Sequence, residues 1–200
     1  MIDTIVFDFG GVLCDWHALN HSQNLGLSDE RRLQIKKIMF NGDEFYQLAT
    51  GSLSQKDYEQ ALCKRYPEFA DDLKKCFAKP ATETMPENPE MVDLLIKLKK
   101  DGYHVHVLSD DTPESAELML NSRFAPYVEN FVRSTQTHIR KPNIEAFTNM
   151  LNIIKTPPEK VLFIDDREEN VNSAKSVGIN TLLCKDIHQT CNKIKEIIYK

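Results

Sequence analysis

The run Ile5-Val6-Phe7-Asp8-Phe9-Gly10-Gly11-Val12-Leu13 constrains this chain more than any other stretch. Ile5, Val6 and Phe7 are β-branched or aromatic, which suits a short strand. The apolar character is continuous, not alternating, as in a strand buried on both faces of a parallel sheet. Asp8 ends the run, and an ionised carboxylate there is costly unless something positive meets it. The two glycines let the chain turn sharply and bring backbone close to a ligand. Taken alone, Asp8 reads equally well as a turn or helix-capping aspartate.

The second half of the chain repeats strand-like segments with helices between them. Met91, Leu94, Leu95 and Leu98 space an amphipathic helix closed by Asp101-Gly102. Val105 to Leu108 reads as a strand ending at Ser109. Thr112-Pro113-Glu114 opens a helix with proline at its first position, capped by Asp111 and Thr112. A strand is expected over Val128 to Val132, a helix over Asn143 to Leu151, and a strongly apolar strand over Val161 to Ile164 that ends at Asp165-Asp166. Val171, Ala174 and Val177 mark a helix closed by Gly178, Ile179 to Cys184 is the last strand, and a helix runs on to Tyr199. This alternation predicts an α/β fold, a Rossmann-like parallel sheet with helices on both faces.

Residues 15–85 have a different rhythm. Leu33, Ile35, Ile38, Met39, Phe45, Leu48, Tyr58, Leu62 and Phe69 recur at roughly helical spacing. Asn41-Gly42-Asp43 and Thr50-Gly51-Ser52 are turns between them, and Ser54-Gln55-Lys56-Asp57 reads as a helix start. Met85-Pro86-Glu87-Asn88-Pro89 closes the segment. The expected organisation is a core of residues 1–14 and 86–200 with a small helical domain, residues 15–85, inserted after the first strand.

A net charge of -5 argues against a binder of duplex nucleic acid. It leaves room for a small anionic substrate in a locally basic pocket. The five cysteines are odd in number and form no CxxC pair, so they read as reduced, packed thiols and not as a zinc site or a nucleophile. No signal peptide is evident and no apolar run approaches the ~20 residues needed to span a bilayer. The expectation is a cytoplasmic protein without membrane association, and nothing in the sequence specifies an oligomeric state.

Parallel sheets bind ligands beyond the carboxyl ends of their strands, so Asp8, Ser109, Asp165 and Asp166 are expected to converge. Three carboxylates at one point repel unless some are protonated or a hard cation meets them. Magnesium, which takes oxygen ligands, removes the conflict, and the Gly10 carbonyl offers one more oxygen. Ser109 adds a hydroxyl donor, and Lys141, in Arg140-Lys141-Pro142-Asn143, adds a positive charge. Metal, hydroxyl and ammonium around one carboxylate suit stabilisation of a phosphoryl group, with Asp8 as the nucleophile.

Four segments in order, Asp8-Phe9-Gly10-Gly11-Val12, Leu108-Ser109-Asp110, Lys141-Pro142 and Ile164-Asp165-Asp166, resemble the motifs of the haloacid dehalogenase superfamily. The resemblance is to its phosphatase-like branch with a helical cap inserted after the first motif, and it covers nearly the whole chain. It implies that residues 15–85 are a cap that closes over the site and reads the leaving group. It also implies magnesium-dependent hydrolysis of a small phosphorylated metabolite, a sugar phosphate favoured, through an aspartyl-phosphate on Asp8. In that reading Asp8, Gly10, Asp165 and Asp166 hold the metal, and Ser109, Asp110 and Lys141 bind the phosphate, Lys141 also being catalytic. Trp16 adjoins the site in sequence and is added as a substrate contact; Phe40 and Phe45 suit the pocket under the cap and helical core packing equally.

The chain departs from the family pattern at Gly10, where most family phosphatases carry a second aspartate that protonates the leaving group and later activates water. Such general acid–base help is worth about 10²–10⁴-fold. Three readings follow. The first is an active phosphatase whose Asp-x-Gly-x-Val motif is similar to that of sugar-1-phosphate phosphatases, whose leaving group needs less protonation. Asp15 or His17 could then help from the hinge, against a plain hinge hydrogen bond for Asp15 and an exposed linker position for His17. The second is a metal-independent 2-haloacid dehalogenase, which has no use for a doubled Asp165-Asp166. The third is a catalytically silent relative that binds a phosphorylated ligand or a partner protein. Asp110 supports the third, because it stands where the family usually has asparagine and would repel a phosphate unless the chain turns it away. His104, His106, His138 and His188 show no metal-ligand spacing and read as surface or core residues.

Overall fold

Residues 1–199 are described in a computed structural model. Five strands, β1 (Thr4–Phe7), β2 (His104–Ser109), β3 (Asn130–Arg133), β4 (Val161–Asp165) and β5 (Asn180–Leu183), form one sheet in the order β3-β2-β1-β4-β5. Every pairing in it is parallel. Between β1 and β2 come α1 (Asp29–Phe40), α2 (Asp43–Ala49), α3 (Gln55–Arg65), α4 (Ala70–Phe77), α5 (Ala81–Thr84) and α6 (Pro89–Lys100). The connections further on hold α7 (Pro113–Leu120), α8 (Ser134–Thr137), α9 (Ile144–Ile154) and α10 (Glu168–Ser176), and α11 (Ile187–Ile198) follows β5.

The central strands β1 and β4 are largely apolar because both faces are covered, and the two-residue side-chain period sorts the apolar residues of the sheet. Ile5, Phe7, Val105, Val107, Leu162 and Ile164 pack on one face with Met91, Leu95 and Leu98 of α6 and Ile194 of α11. Val6, Leu108, Val132 and Phe163 pack on the other with Phe147 and Met150 of α9 and Ala174 of α10. The Rossmann-like architecture read from the sequence is therefore the observed one. Two strands shift at both ends. The third starts at Asn130 and runs to Arg133, and the last omits Ile179 and Cys184; the Ile179 N–H instead closes the end of α10 on Ala174 O at 3.3 Å.

The sheet order places a topological switch between β1 and β4. The chain moves from β1 outward through β2 and β3, then returns to the far side of β1. Phe7 is in register with Ile164 and with Val107, and the Asp8 N–H continues the ladder to Ile164 O at 2.9 Å. Asp8 and Asp165 therefore leave adjacent strands at the same level, at the carboxyl edge where ligands bind in such sheets.

Helices α1 to α4 bury a cluster of their own, made of Ile35, Met39, Leu48, Tyr58, Leu62, Phe69, Leu73 and Cys76. Ser54 caps α3 as its sequence predicts, accepting from the Asp57 N–H. Leu33 is the exception among the residues expected inside: it lies on the solvent side of α1. Asn20 ties the ends of the segment together, its amide donating to Asp15 O at 3.2 Å and Thr84 O at 3.1 Å. A second tie joins the segment to the sheet. Ser134 Oγ donates to Ala49 O at 2.6 Å, and His138 Nδ1 lies 2.7 Å from Thr50 O. No described helix is long and apolar enough to cross a membrane, and all five cysteines are free thiols.

Candidate active site

The turn after β1 is built on one carbonyl. Phe9 O accepts the N–H groups of Val12, Leu13 and Cys14, which curls residues 10–13 back beneath the strand end. Gly11 makes this possible: its φ is +77°, and a Cβ there would lie 2.6 Å from Asp166 Cγ. Gly10 has neither constraint, and its carbonyl accepts no hydrogen bond among the described residues.

Lys141 sits at the centre of the site. Its Nζ lies 2.8 Å from Asp8 Oδ1, 2.8 Å from Asp165 Oδ2 and 3.1 Å from Leu108 O, so each ammonium proton has a partner. Asp8 Oδ1 also accepts from the Phe9 N–H at 2.7 Å. Asp165 is fully buried and accepts from the Arg167 N–H at 2.9 Å and from the Asn170 amide at 3.0 Å. Asp8, Asp165 and Asp166 each bring one carboxylate oxygen within 4.8 Å of the others.

These environments push the carboxyl groups apart. Burial, with the charges of Asp165 and Asp166, drives the Asp8 carboxyl well above the ordinary carboxylate range, against the pull of Lys141. Asp166 is raised by burial and by Asp165. Burial also acts on Asp165, but the charge and hydrogen bond of Lys141, the Arg167 N–H and the Asn170 amide outweigh it and hold Asp165 low. Burial opposes the Lys141 charge too, yet Asp8 and Asp165 overcome it and keep the ammonium above its usual value.

A divalent cation fits this donor set. Three carboxylates against one ammonium leave two formal negative charges at one point. The unpartnered Gly10 carbonyl and the buried, unpartnered Oδ1 of Asn170 add neutral oxygens beside them. All are hard oxygen donors of the kind magnesium takes.

The other residues singled out in the sequence fall in different places. Ser109 ends β2, 2% exposed, and does not line the cleft above Asp8. Asp110 does line it, but its carboxylate is turned to the following loop: Oδ1 accepts the Lys141 N–H at 3.0 Å and Oδ2 faces Arg140 Nε at 3.3 Å. Arg140 thus meets the Asp110 charge, and Asp110 holds the loop that carries Lys141. Asp111 does not cap α7. Its Oδ1 accepts from the Thr135 N–H and hydroxyl at 2.9 and 2.8 Å, and the cap is Thr112 in a reciprocal box with Ser115. His17 caps the short helix Ala18–Ser22 and lines the cleft, whereas Asp15 is exposed and outside it.

The cleft has a volume of about 610 Å³ and runs from Asp8, Lys141 and Asp166 to the helical segment. Trp16, Phe40 and Phe45 form one wall, in edge-to-face contact at 5.5 and 5.3 Å. Arg140 lines it too, its guanidinium 5.5 Å from the Phe45 ring centre. His21, Asn170 and Arg167 also line it, and no periodicity or motif marks His21 in the sequence. Asn170 was legible in principle, five residues after Asp165 in the first turn of the next helix.

Known proteins resemble the chain along most of its length. A sesquiterpene phosphatase from Aspergillus oryzae is 24% identical, over 96% of this chain and 95% of its own. A D-ribitol-5-phosphate phosphatase from Bacteroides thetaiotaomicron is 28% identical, over 90% of this chain and 91% of its own. A haloacid dehalogenase family enzyme of that bacterium, solved with magnesium and inorganic phosphate, superposes with a TM-score of 0.72 at 20% identity, covering 92% of this chain and 94% of its own. The model of the haloacid dehalogenase-like hydrolases matches residues 2–178, and with the strand-end carboxylates and their shared lysine in place, the chain belongs to that family.

Proposed function

We propose that this chain hydrolyses a small phosphate monoester, a sugar phosphate favoured, with Asp8 as nucleophile and magnesium as cofactor. The observation that carries this reading is the convergence of Asp8, Asp165 and Asp166 within 4.8 Å around the Lys141 ammonium. Asp8, the Gly10 carbonyl, Asp165 and Asp166 would hold the cation. Bound there, magnesium supplies positive charge to the phosphoryl oxygens.

The chain's own residues do the rest. The Asp8 carboxylate forms a bond to phosphorus as the ester P–O bond breaks, and the departing alkoxide takes a proton from solvent. Water then attacks phosphorus, the Asp8–phosphorus bond breaks, and inorganic phosphate leaves with the carboxylate restored. Lys141, held by Asp110 and Asp165, keeps a fixed positive charge beside both steps. Residues 15–85 act as the cap, presenting Trp16, Phe40 and Phe45 to the leaving group. The similarity to named phosphatases supports the reaction class, and the pairing of Asp110 with Arg140 favours it over the silent relative.

The test is phosphate release from a panel of hexose-1-, hexose-6- and pentitol phosphates, with and without magnesium, beside Asp8→Asn. The expected result is turnover that needs both Asp8 and magnesium. Absence of turnover on every ester would favour the silent relative, and halide release from a 2-haloacid without metal would establish the dehalogenase.

A further inference from the structure

His21 is a buried polar side chain with nothing in the protein to bind. It lies in the short helix Ala18–Ser22 and is 8% exposed. Its Nδ1 is buried without a hydrogen-bond partner, and Nε2 has none among the described residues. The helix that carries it is pinned: Lys79 Nζ donates to Asn20 O at 3.1 Å and also to Gln23 O, and the Asn20 amide bonds outward to Asp15 and Thr84. The ring stands edge-to-face on Phe40 with centroids 5.2 Å apart, and both line the cleft that begins at Asp8.

A neutral imidazole offers one N–H donor and one lone-pair acceptor. The buried Nδ1 is left unmet, which is costly, while Nε2, not buried, is the ring atom left open to a partner in the cleft. Burial, with the nearby Lys79 charge, lowers the ring's pKa to about 4, so it stays neutral at neutral pH and can serve as donor and acceptor together. A hydroxyl has the same pair of capacities. An isoprenoid tail has neither and would cover the accessible Nε2 with hydrocarbon as well. The aromatic wall of Trp16, Phe40 and Phe45 beside His21 suits the C–H faces of a carbohydrate carbon chain.

We infer that His21 is a specificity-determining residue that binds a hydroxyl of the leaving group, and that the substrate is therefore a hydroxylated phosphate ester, a sugar or polyol phosphate, not a prenyl phosphate. The inference rests on the phosphatase reading above. It concerns only the alcohol half of the ester, and no step of phosphoryl transfer passes through His21.

The experiment compares wild type, His21→Phe and His21→Gln on D-ribitol 5-phosphate, phenyl phosphate and farnesyl phosphate. In His21→Phe the kcat/KM for the polyol ester is expected to fall about 10- to 100-fold, mainly through KM, with phenyl phosphate changed less than about two-fold. His21→Gln should recover part of the loss, since its amide also donates and accepts. Equal loss on phenyl phosphate, no loss on ribitol phosphate, or wild-type preference for farnesyl phosphate would overturn the assignment. A second readout is independent of turnover: the ring-nitrogen NMR resonances of His21 in Asp8→Asn should move on adding ribitol 5-phosphate and stay put with inorganic phosphate. If no ester is turned over the phosphatase reading fails, while this shift still decides the role of His21, its absence overturning the inference.

Discussion

Gly10 faces Trp16 with room for a side chain between them: a Cβ on Gly10 would meet the nearest Trp16 atom at 3.4 Å, an ordinary contact. The backbone at Gly10 is not in the left-handed region either. A Cβ at position 10 is therefore not excluded by sterics. Gly10→Asp should fold, and on esters with poor leaving groups it should raise kcat/KM by about ten-fold or more, part of the 10²–10⁴ that general acid catalysis supplies. No gain would mean that the acid comes from elsewhere. Gly11→Ala should behave oppositely, because its Cβ would stand 2.7 Å from Asp166 Oδ2 at a φ of +77°. Activity loss with a lowered melting temperature is expected there.

In the proposed mechanism, without an aspartate at position 10, the water that attacks the phosphorylated Asp8 would have no dedicated base. The covalent species should accumulate, and rapid mixing of enzyme and a good-leaving-group ester should show a burst of alcohol before the steady state. A linear trace from the first turnover would count against the accumulation.

Removing the Lys141 ammonium leaves Asp8 and Asp165 buried side by side without a counter-charge. Breaking such a pair typically costs about 3–5 kcal/mol. Lys141→Met should therefore lower metal-free stability by roughly that amount in urea titrations at pH 7, and added magnesium should recover part of it by meeting the same charge. It should also lower activity by orders of magnitude, as loss of a fixed charge beside the phosphoryl group would.

His106, in β2, is buried and its Nδ1 lies 3.2 Å from the Asn130 amide, while burial lowers its pKa from 6.5 to about 4. Between those values the unfolded chain binds a proton that the folded chain refuses. Stability is thus fully present above about pH 6.5, falls as pH drops to about 4, and levels off below. The loss from this one group is on the order of 3 kcal/mol. His106→Val should shallow the decline between pH 6.5 and 4, which denaturant titrations at several pH values would measure. An unchanged slope would mean that the ring charges freely in the fold.

Gly51 touches the sheet domain where the helical segment meets α8. Its φ is +72°, and a Cβ there would lie 2.5 Å from Thr135 O. Gly51→Ala should cost about 1–2 kcal/mol from the backbone alone, and more if the contact opens. Faster amide exchange confined to α2 and α8 would mark an opened contact.

What could be read from the sequence followed the apolar periodicities. Strands such as Val161 to Ile164 announce themselves because both faces are buried, and the polar residue that ends each one marks the ligand-binding edge. Asp8, Asp165 and Asp166 are legible on that ground and Lys141 as a charge just before a helix, and the four do meet. What failed was direction. Asp110 and Asp111 sit side by side after β2, yet one holds the Lys141 loop and the other holds α8, and no spacing distinguishes them. Leu33 shares the helical period of its neighbours and still faces solvent, because the small segment has only one side to bury. His21 had no signal at all, since its isolation is a property of the folded surroundings.

The apolar cluster of the helical segment shares no fully buried member with the clusters on either face of the sheet. What joins the two parts is the pair of chain crossings near Asp15 and Thr84, where Ala81 and Met85 pack into the sheet-side core, and a few polar contacts such as Ser134 to Ala49. A graft follows from this. The segment between those crossings could be exchanged for another helical unit without moving a strand or a strand-end carboxylate. If that segment reads the leaving group as proposed, chemistry and choice of substrate would be separately heritable, and a lineage carrying this fold could change its substrate by swapping one contiguous stretch of gene.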